Sequence, residues 1–313
     1  MILNYFKDKK MSKKVSFVIP TKNEASTIGQ VIGDIKKVCE ENQIDIHEIV
    51  ITDDSSDDTR KIASENGARI VVGGGKGLGT AMLKGLKSAA RSNPDLIISI
   101  DADGQVDLNE IPVFIEAKDK EGADMVLGSR FKEKGLIDYH YRFINRFGTI
   151  VLSWILRRFT KLPLTDSHGG IRAVTPDVVR ELELLGTHTY VQESIIDAAE
   201  NGFKIVEIPS KWLKREHGKS RVVLSIPKYV FYTLPVLILR SGKHISYLFG
   251  AGVALILLAM LHVSIVLVQT KFSLPEMIER QSFVLFFVLL STGANLFFFG
   301  VILELLAQVK RKN

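Results

Sequence analysis

Two long apolar segments near the carboxyl end of the chain limit what this sequence can fold into. Residues 245–268 and 282–303 contain no Asp, Glu, Lys or Arg. A helix needs about 20 residues to cross a hydrocarbon core about 30 Å thick, so each segment is long enough to span a bilayer. Only residues 269–281 separate the two segments. The sequence therefore predicts a two-helix transmembrane hairpin over residues 245–309.

Basic residues flank this hairpin on both of its outer sides, as is typical of the cytoplasmic side of a membrane. They are Lys228, Arg240 and Lys243 before the hairpin, and Lys310, Arg311 and Lys312 in a basic tail at 310–313. We therefore expect a multi-pass protein of the cell membrane, or of an endomembrane, with its soluble part and both termini in the cytoplasm. Residues 1–13 are expected to form a flexible tail, because the apolar stretch at 1–6 is too short for a signal peptide.

The composition excludes several classes of protein. Hydrophobic residues make up 46% of the chain, which is too many for a disordered protein. The single cysteine, Cys39, excludes a disulfide scaffold. The formal net charge is +6. Basic residues near a membrane are attracted to anionic lipid, which is sufficient to account for this excess, so we expect no nucleic-acid partner.

Three polar residues, His262, Asn295 and Glu304, interrupt the apolar segments or lie at their ends. Polar residues within a span are functional candidates by default. Asn295, however, follows Gly293 and Ala294, small residues that favour close contact between helices. We interpret them as packing residues rather than catalytic ones, and a homo-oligomer formed through the hairpin is compatible with them.

The segment 222–244 links the soluble part to the hairpin and is apolar but contains Pro227 and Pro235. Two prolines disfavour one continuous spanning helix. Tyr229 and Tyr232 suit the depth of lipid headgroups. The sequence predicts interfacial helices here.

The first 240 residues alternate between short apolar runs and helical patterns. The apolar runs predict strands at 15–20, 48–52, 68–72, 96–100 and 125–128. Helical spacing of apolar residues predicts helices at about 28–38, 57–66, 78–91 and 109–121. Such alternation is typical of an α/β fold with a mostly parallel sheet and helices on both faces. Ligands of these sheets bind beyond the carboxyl ends of the strands.

An acidic segment follows the fourth predicted strand. Alternation along an extended chain would place Asp101, Asp103 and Gln105 on one side. Two carboxylates and an amide oxygen suit a hard cation such as Mg²⁺ or Mn²⁺. A solvated acidic turn explains the same residues, and both interpretations stay open at this point.

Two further segments follow strands. Asp53 and Asp54 are followed by Ser55 and Ser56, which could cap the next helix or hydrogen-bond a ribose or base. The glycine-rich segment 73–79 lacks the Gly-Lys-Ser/Thr ending of a phosphate-binding loop, so we interpret it as a turn before a helix.

Basic residues also follow the fifth predicted strand, at Arg130, and recur at 214–221, which includes Arg215 and Arg221. Guanidinium groups bind phosphates through paired hydrogen bonds. The second cluster precedes the predicted interfacial helices, so it could bind a lipid phosphate or simply be attracted to anionic lipid.

Taken in order, seven segments resemble the dolichyl-phosphate mannose synthase group of family 2 glycosyltransferases, which have the GT-A fold. The segments are Pro20-Thr-Lys-Asn-Glu24, Asp53-Asp54, Lys76-Gly-Leu-Gly79, Asp101-Ala-Asp103 with Gln105, Gly128-Ser-Arg130, Asp166-Ser-His-Gly-Gly-Ile-Arg172 and Arg215-Glu-His-Gly-Lys-Ser-Arg221. The resemblance covers about residues 14–225 and implies a cytoplasmic GT-A domain at 14–221. The hairpin resembles that of bacterial polyprenyl-phosphate glucosyltransferases.

The resemblance implies roles for individual residues. The positions that match binders of the nucleotide sugar are Pro20, Lys22, Glu24, Ile51, Asp53, Asp101, Ala102, Asp103 and Arg130. The positions that match the metal site are Asp101, Asp103 and Gln105, and those that match binders of substrate phosphates are Arg130, Arg215 and Arg221. Asp103 and Arg130 are the implied catalytic residues. Four positions depart from the family pattern: Lys22 replaces a common tyrosine, Ser55 a glycine, Val106 a histidine and Ile171 an aromatic residue.

The implied reaction is an inverting, Mg²⁺- or Mn²⁺-dependent transfer of a hexose from a nucleotide sugar to a polyprenyl or dolichyl phosphate. GDP-mannose is the favoured donor, with UDP-glucose or another UDP-hexose as the alternative. A processive polysaccharide synthase is disfavoured because the Gln-x-x-Arg-Trp motif is absent. A non-catalytic membrane scaffold is a distant alternative, and a channel would leave the soluble part unexplained.

Overall fold

The structure of the protein, a computed structural model, describes residues 13–184, 186–187, 190–215, 235–236, 240 and 244–312. The chain forms two compact units, Met1–Leu237 and Ile238–Asn313. Residues 1–12, Arg221 and most of the segment 222–244 lie outside the described residues, so the expected tail and interfacial helices stay predictions.

A seven-stranded sheet organises the first unit. Its strands are β1 (Lys14–Thr21), β2 (Asp45–Asp53), β3 (Arg69–Val72), β4 (Leu96–Ile100), β5 (Met125–Ser129), β6 (Ile171–Val174) and β7 (Ile205–Pro209). Their order across the sheet is β3-β2-β1-β4-β6-β5-β7. All neighbouring pairs are parallel except those of β6, which runs antiparallel to β4 and β5. The predicted mostly parallel α/β fold is confirmed.

Helices cover both faces of this sheet. They are α1 (Ile28–Glu41), α2 (Thr59–Glu65), α3 (Leu78–Ala90), α4 (Ile111–Glu121), α5 (Phe143–Thr160), α6 (Pro176–Glu181) and α7 (Val191–Glu200). On one face, α1 and α4 pack on the strands, and the apolar residues that predicted α1 are all buried. On the other face, α3, α6 and α7 enclose a second apolar core. The central strands are buried from both sides, which explains why they read as continuous apolar runs.

The strand order places the predicted polar site residues at the carboxyl ends of neighbouring central strands. The order reverses between β1 and β4, the neighbours at the centre of the sheet. Ligands bind at such a switch point, beyond the carboxyl ends of the strands. Thr21 ends β1, Asp53 ends the adjacent β2, and Asp101 follows β4.

The second unit contains α8 (His244–Gln269), α9 (Leu274–Glu279) and α10 (Phe283–Lys312). Segments Ile245–Gln269 of α8 and Phe283–Leu305 of α10 are long and apolar enough to cross a membrane. The two helices meet at Gly252 and Gly293, where a Cβ atom on Gly293 would lie 2.9 Å from the carbonyl oxygen of Gly252. The predicted packing role of Gly293 is thus realised within the hairpin itself.

Candidate active site

A turn after β4 brings the predicted acidic residues together. Residues 102–104 form this turn, and Gly104 has a φ of +69°, in the left-handed region that glycine adopts without strain. The backbone N–H of Gln105 donates to Oδ1 of Asp103 at 3.1 Å. The grouping of these side chains therefore comes from a turn and not, as the spacing argument assumed, from an extended chain.

The carboxyl group of Asp101 is crowded by negative charge. Its pKa is raised to about 7, first by burial and then by the neighbouring Asp103 carboxylate. Gly170 makes room for it, because a Cβ atom there would lie 2.9 Å from Oδ2 of Asp101 and 2.8 Å from the ring of Trp212. A cation placed between the two carboxylates would relieve this repulsion.

Arg215 contacts the same cluster from a distant part of the sequence. Its guanidinium forms an ion pair with Asp103, and its Nε donates to Oε1 of Gln105 at 3.3 Å. The Gln105 amide is held in place because its Nε2 donates to the carbonyl oxygen of Leu213 at 3.2 Å. The structure therefore joins the predicted metal ligands to one of the predicted phosphate-binding arginines.

The donor set fits a divalent cation that is shared with a diphosphate. Among the described residues, no group of three or more His, Cys, Asp or Glu side chains is placed to hold a metal ion. At the predicted metal site the possible ligands from the protein are two carboxylates, from Asp101 and Asp103, and the amide oxygen of Gln105. Mg²⁺ is typically bound in this way, through one or two carboxylates, with phosphate oxygens and water completing the shell.

Arg130 lies beside this cluster in a pair with Asp166. Its Nε and Nη2 donate to the two carboxylate oxygens of Asp166 at 2.6 and 2.9 Å. Arg130 is 4% exposed, and the Asp166 side chain is fully buried. Burial alone would raise the pKa of Asp166, but the charge and hydrogen bonds of Arg130 hold it below its usual value.

Aromatic rings enclose the Arg130 guanidinium. The ring of Trp212 lies 4.4 Å from its carbon Cζ, and the rings of Phe131 and Tyr141 lie within 5.5 Å. The remaining terminal nitrogen, Nη1, donates to the Tyr141 hydroxyl at 3.3 Å. The guanidinium of Arg130 is thus fixed by Asp166 and Tyr141, and its positive charge acts on Asp101. The phosphate contact implied by the resemblance stays a prediction.

A neutral histidine lies behind this pair. Burial, followed by the positive charge of Arg130, lowers the pKa of His168 to about 4. Its two ring nitrogens lie 2.7 Å from the Ser167 hydroxyl and 3.1 Å from Nε2 of Gln192. His168 therefore adds no charge to the site at neutral pH.

At the ends of β1 and β2, the predicted nucleotide-binding residues divide into buried and accessible ones. Ile51 and Asp53 have no exposed surface, whereas Lys22 is exposed and Pro20 and Glu24 are partly exposed. Asp53 accepts hydrogen bonds from the Thr21 hydroxyl at 2.9 Å and from Nε of Arg60 at 3.0 Å. Here Asp53 supports Arg60, which is half exposed above it, in place of presenting its own carboxylate.

The glycine-rich segment 73–79 forms the turn that the sequence predicted. Oδ1 of Asp54 accepts from the backbone N–H of Gly75 at 2.9 Å. A Cβ atom on Gly73 would lie 2.5 Å from Oδ2 of Asp54, so a larger residue there would displace the Asp54 carboxylate. Because Asp54 already uses one of these N–H groups, the segment does not offer the full set of donors of a phosphate cradle.

Three residues of the site had no assigned role in the sequence. Asp166 lay in a segment of the resemblance, but its partner is 36 positions away. Arg60 and Trp212 gave no signal, because their importance comes only from the side chains that they contact. Ala102, predicted to line the metal site, is buried in the turn.

Comparison with known proteins finds a family model and several relatives that are similar to this chain. The model of "Glycosyl transferase family 2" matches residues 16–182. An undecaprenyl-phosphate 4-deoxy-4-formamido-L-arabinose transferase of Edwardsiella ictaluri is 27% identical over 96% of this chain and 91% of its own length. A polyprenol monophosphomannose synthase of Mycolicibacterium smegmatis is 27% identical over 67% of this chain and 82% of its own. A UDP-N-acetylglucosamine–dolichyl-phosphate N-acetylglucosaminyltransferase of Methanococcus voltae is 28% identical over 74% and 98%.

Solved structures confirm the GT-A-like fold. Glucosyl-3-phosphoglycerate synthase of Mycobacterium tuberculosis, crystallised with Mn²⁺ and UDP-glucose, has a TM-score of 0.57 at 19% identity. The match covers 77% of this chain and 83% of that one. Mannosyl-3-phosphoglycerate synthase of Rubrobacter xylanophilus has a TM-score of 0.55 at 20% identity, covering 73% and 74%.

Proposed function

Since this chain belongs to glycosyl transferase family 2, we propose that it transfers a hexose from a nucleotide sugar to a polyprenyl or dolichyl phosphate. The observation that carries the proposal is the cluster in which Arg215 contacts both Asp103 and Gln105 beyond the carboxyl end of β4. This cluster joins groups suited to a cation with a group suited to a phosphate. The names of three relatives support this class of acceptor. One is named for undecaprenyl phosphate, one for polyprenol monophosphomannose and one for dolichyl phosphate.

A phosphate acceptor explains why the site needs no dedicated general base. The second pKa of a phosphate monoester is about 6, so at neutral pH its oxygens are already nucleophilic. The task of the protein is to hold two anions close together and to stabilise the departing diphosphate. In this proposal a single displacement inverts the configuration at the anomeric carbon.

Each side chain has a role that follows from its contacts. A divalent cation bound by Asp101, Asp103 and Gln105 would neutralise charge on the leaving diphosphate. Arg215 would leave Asp103 and donate to a substrate phosphate, since both partners of that pair are partly exposed. Arg130 would stay on Asp166 and offset the negative charge of the two substrates from its buried position.

The nucleoside would lie at the ends of β1 and β2. Pro20, Lys22 and Glu24 would contact it together with Arg60, while Asp53 holds Arg60 from below. GDP-mannose is our favoured donor, and a polyprenol monophosphomannose synthase is among the relatives. A UDP-hexose is the second candidate, because a relative at 28% identity is named for UDP-N-acetylglucosamine.

The proposed location is a membrane with the first unit and both termini on the cytoplasmic side. The two apolar helices of the second unit and the basic residues that flank them support this orientation. A cysteine-reactive, membrane-impermeant label applied to cells carrying Ser273→Cys, between the two spans, would test it. We expect the label to react at that position in intact cells, because the loop would face the outside. Absence of labelling would contradict the proposed orientation.

The decisive experiment measures sugar transfer into lipid. The purified full chain is given Mn²⁺ or Mg²⁺, a short polyprenyl phosphate and labelled GDP-mannose, UDP-glucose or UDP-N-acetylglucosamine in parallel. We expect one donor to label the organic-extractable lipid and a chelator to abolish the labelling.

Two matched variants test the site. Asp103→Asn should abolish transfer without unfolding the protein, whereas Asp107→Asn, which keeps a capping side chain at the start of the short 3₁₀ helix Leu108–Glu110, should leave transfer unchanged. Wild-type turnover by Asp103→Asn would refute the metal assignment. Absence of lipid labelling from every donor, with nucleotide binding intact, would refute the acceptor class.

A further inference from the structure

Helix α5 presents an apolar face to the outside of the first unit. Phe143 is 80% exposed and Trp154 is 59% exposed, and Phe147, Ile150 and Val151 between them are also exposed. These five residues recur at helical spacing and therefore form one continuous stripe. The rings of Phe143 and Phe147 stack with their centroids 6.4 Å apart. Contiguous apolar patches of this size mark interaction surfaces.

The inner side of the same helix already provides apolar contacts to the unit. Leu156 is buried in the second apolar core, and Leu152, Ile155 and Phe159 pack against that core, beside the buried Thr149 and Ser153. The Ser153 hydroxyl is satisfied within the helix, because it donates to the carbonyl oxygen of Thr149 at 2.7 Å. A helix on a water-facing surface carries its apolar residues on the inner side and polar residues on the outer side. Because α5 is apolar on its outer side as well, this outer side is not suited to water.

The charges around the stripe indicate what covers it. Arg142 and Arg146 at one end of α5, and Arg158 and Lys161 at the other, are exposed. Residues 142–161 contain no Asp or Glu. Aromatic and aliphatic residues on one face, with basic residues beside them, are typical of helices that lie in a membrane interface and bind anionic lipid. An apolar phase is at hand, because the same chain carries two helices long enough to cross a bilayer.

We propose that the outer face of α5 lies in the surface of a membrane that contains anionic lipid, with its aromatic residues at the boundary between headgroups and acyl chains. The basic residues at both ends of the helix bind the lipid phosphates. This contact is additional to the spanning hairpin, and it does not depend on the proposed reaction.

The tryptophans of the chain allow a direct test. The sequence contains two, Trp154 on the stripe and Trp212, which is 8% exposed. The full chain is reconstituted in nanodiscs whose phosphatidylcholine is brominated near the headgroup end of the acyl chains, with and without phosphatidylglycerol. Bromine quenches a tryptophan that lies among these chains. We expect quenching of wild-type emission, stronger with phosphatidylglycerol, and loss of the quenched component in Trp154→Phe.

A matched pair of variants separates the stripe from ordinary surface residues. Phe147→Asp places a charge on the stripe, and Val113→Asp places one on α4, where Val113 is also exposed. We expect Phe147→Asp to reduce bromine quenching and Val113→Asp to leave it unchanged, with both variants keeping the wild-type unfolding temperature.

Two results would overturn the proposal. Quenching of Trp154 by aqueous acrylamide but not by brominated lipid would place the stripe in water. Quenching by neither would mean that protein covers it, either a second copy of the chain or another part of the same chain. Equal quenching with and without phosphatidylglycerol would refute the role given to the basic residues.

Discussion

The pair of Arg130 with Asp166 should be the most costly single contact to break in the first unit. Asp166→Asn keeps the shape of the side chain but removes its charge, which leaves the Arg130 guanidinium buried without a counter-ion. Arg130 is 4% exposed, and the Asp166 side chain is 0% exposed. Removing one partner of a buried ion pair typically costs about 3–5 kcal/mol, so we expect the free energy of unfolding to fall by about that amount.

Denaturant unfolding of the full chain in detergent would measure this loss. Trp212 lies 4.4 Å from the Arg130 guanidinium and should report the loss of local structure through its fluorescence. The matched control is Asp177→Asn, which removes the same charge from the pair with Arg180. Asp177 is 76% exposed, and surface pairs contribute about 0–1 kcal/mol.

The pH dependence gives a second check with a definite sign. Pairing holds the pKa of Asp166 below its usual value, so its stabilising contribution is present at neutral pH and lost only as acid protonates the folded state. The difference between wild type and Asp166→Asn should therefore be the same at pH 6 and pH 8. A loss no larger than that of Asp177→Asn, or one that disappears between these pH values, would refute the reasoning.

Three further predictions concern single residues. Because burial and a neighbouring carboxylate raise the pKa of Asp101 to about 7, the metal-free protein should lose stability as pH rises through 7, and Asp101→Asn should remove this loss in melting curves recorded with chelator. Gly169→Ala should prevent folding because its Cβ would overlap the backbone of β5, whereas Gly33→Ala, with open space around it, should be neutral or stabilise by up to about 1 kcal/mol in denaturant unfolding. Gly293→Leu should separate the two apolar helices at Gly252 and cost about 1–3 kcal/mol, measured by unfolding in detergent.

Each of these predictions has an outcome that contradicts it. A melting temperature of Asp101→Asn that falls with pH as steeply as in wild type would refute the assignment to Asp101. Wild-type expression and unfolding of Gly169→Ala would show that the contact with β5 can relax. Wild-type unfolding of Gly293→Leu would show that the two helices do not depend on their close approach at Gly252.

Local patterns in the sequence were sufficient to predict the first five strands and the four helices that lie between them in the chain. β4 and β5 are short apolar runs buried on both faces, and α1 carries its apolar residues at helical spacing. Each of these signals comes from the physics of a single element. Parallel strands in turn require that their carboxyl ends share an edge, which placed Asp53 and Asp101 near one another.

β6 and β7 were not predicted, for a physical reason that β6 makes clear. This strand has four residues, Ile171–Val174, and one of them is Arg172. Its buried charge is tolerated because Nη1 of Arg172 donates to the carbonyl oxygen of Val191 at 3.0 Å and the guanidinium lies 5.2 Å from the ring of Tyr190. Val191 is the first residue of α7 and Tyr190 directly precedes it, so both partners lie later in the sequence and no local pattern could predict the strand.

The same limit applies to the candidate site. The sequence could propose that arginines meet substrate phosphates, but it could not show which carboxylates already hold those arginines. Arg215 and Asp103 are 112 positions apart. Such contacts exist only after the sheet has brought distant loops together, so they had to come from the structure.

The arginines near the candidate site are paired with carboxylates that differ in burial, and this difference supports the roles proposed for them. Three arginines near the site rest on carboxylates: Arg130 on Asp166, Arg60 on Asp53 and Arg215 on Asp103. Where both partners are buried, separating them would expose neither to water and would leave a bare charge, so the Arg130 pair is fixed. In the Arg215 pair both side chains keep 14–21% exposure, so water reaches both partners, and in the proposed reaction a substrate phosphate would replace Asp103. Arg60 is intermediate, because its carboxylate is buried while its own guanidinium is half exposed and can bind a ligand without leaving Asp53. Burial of the carboxylate thus distinguishes a cation that supports the site from one that can move within it.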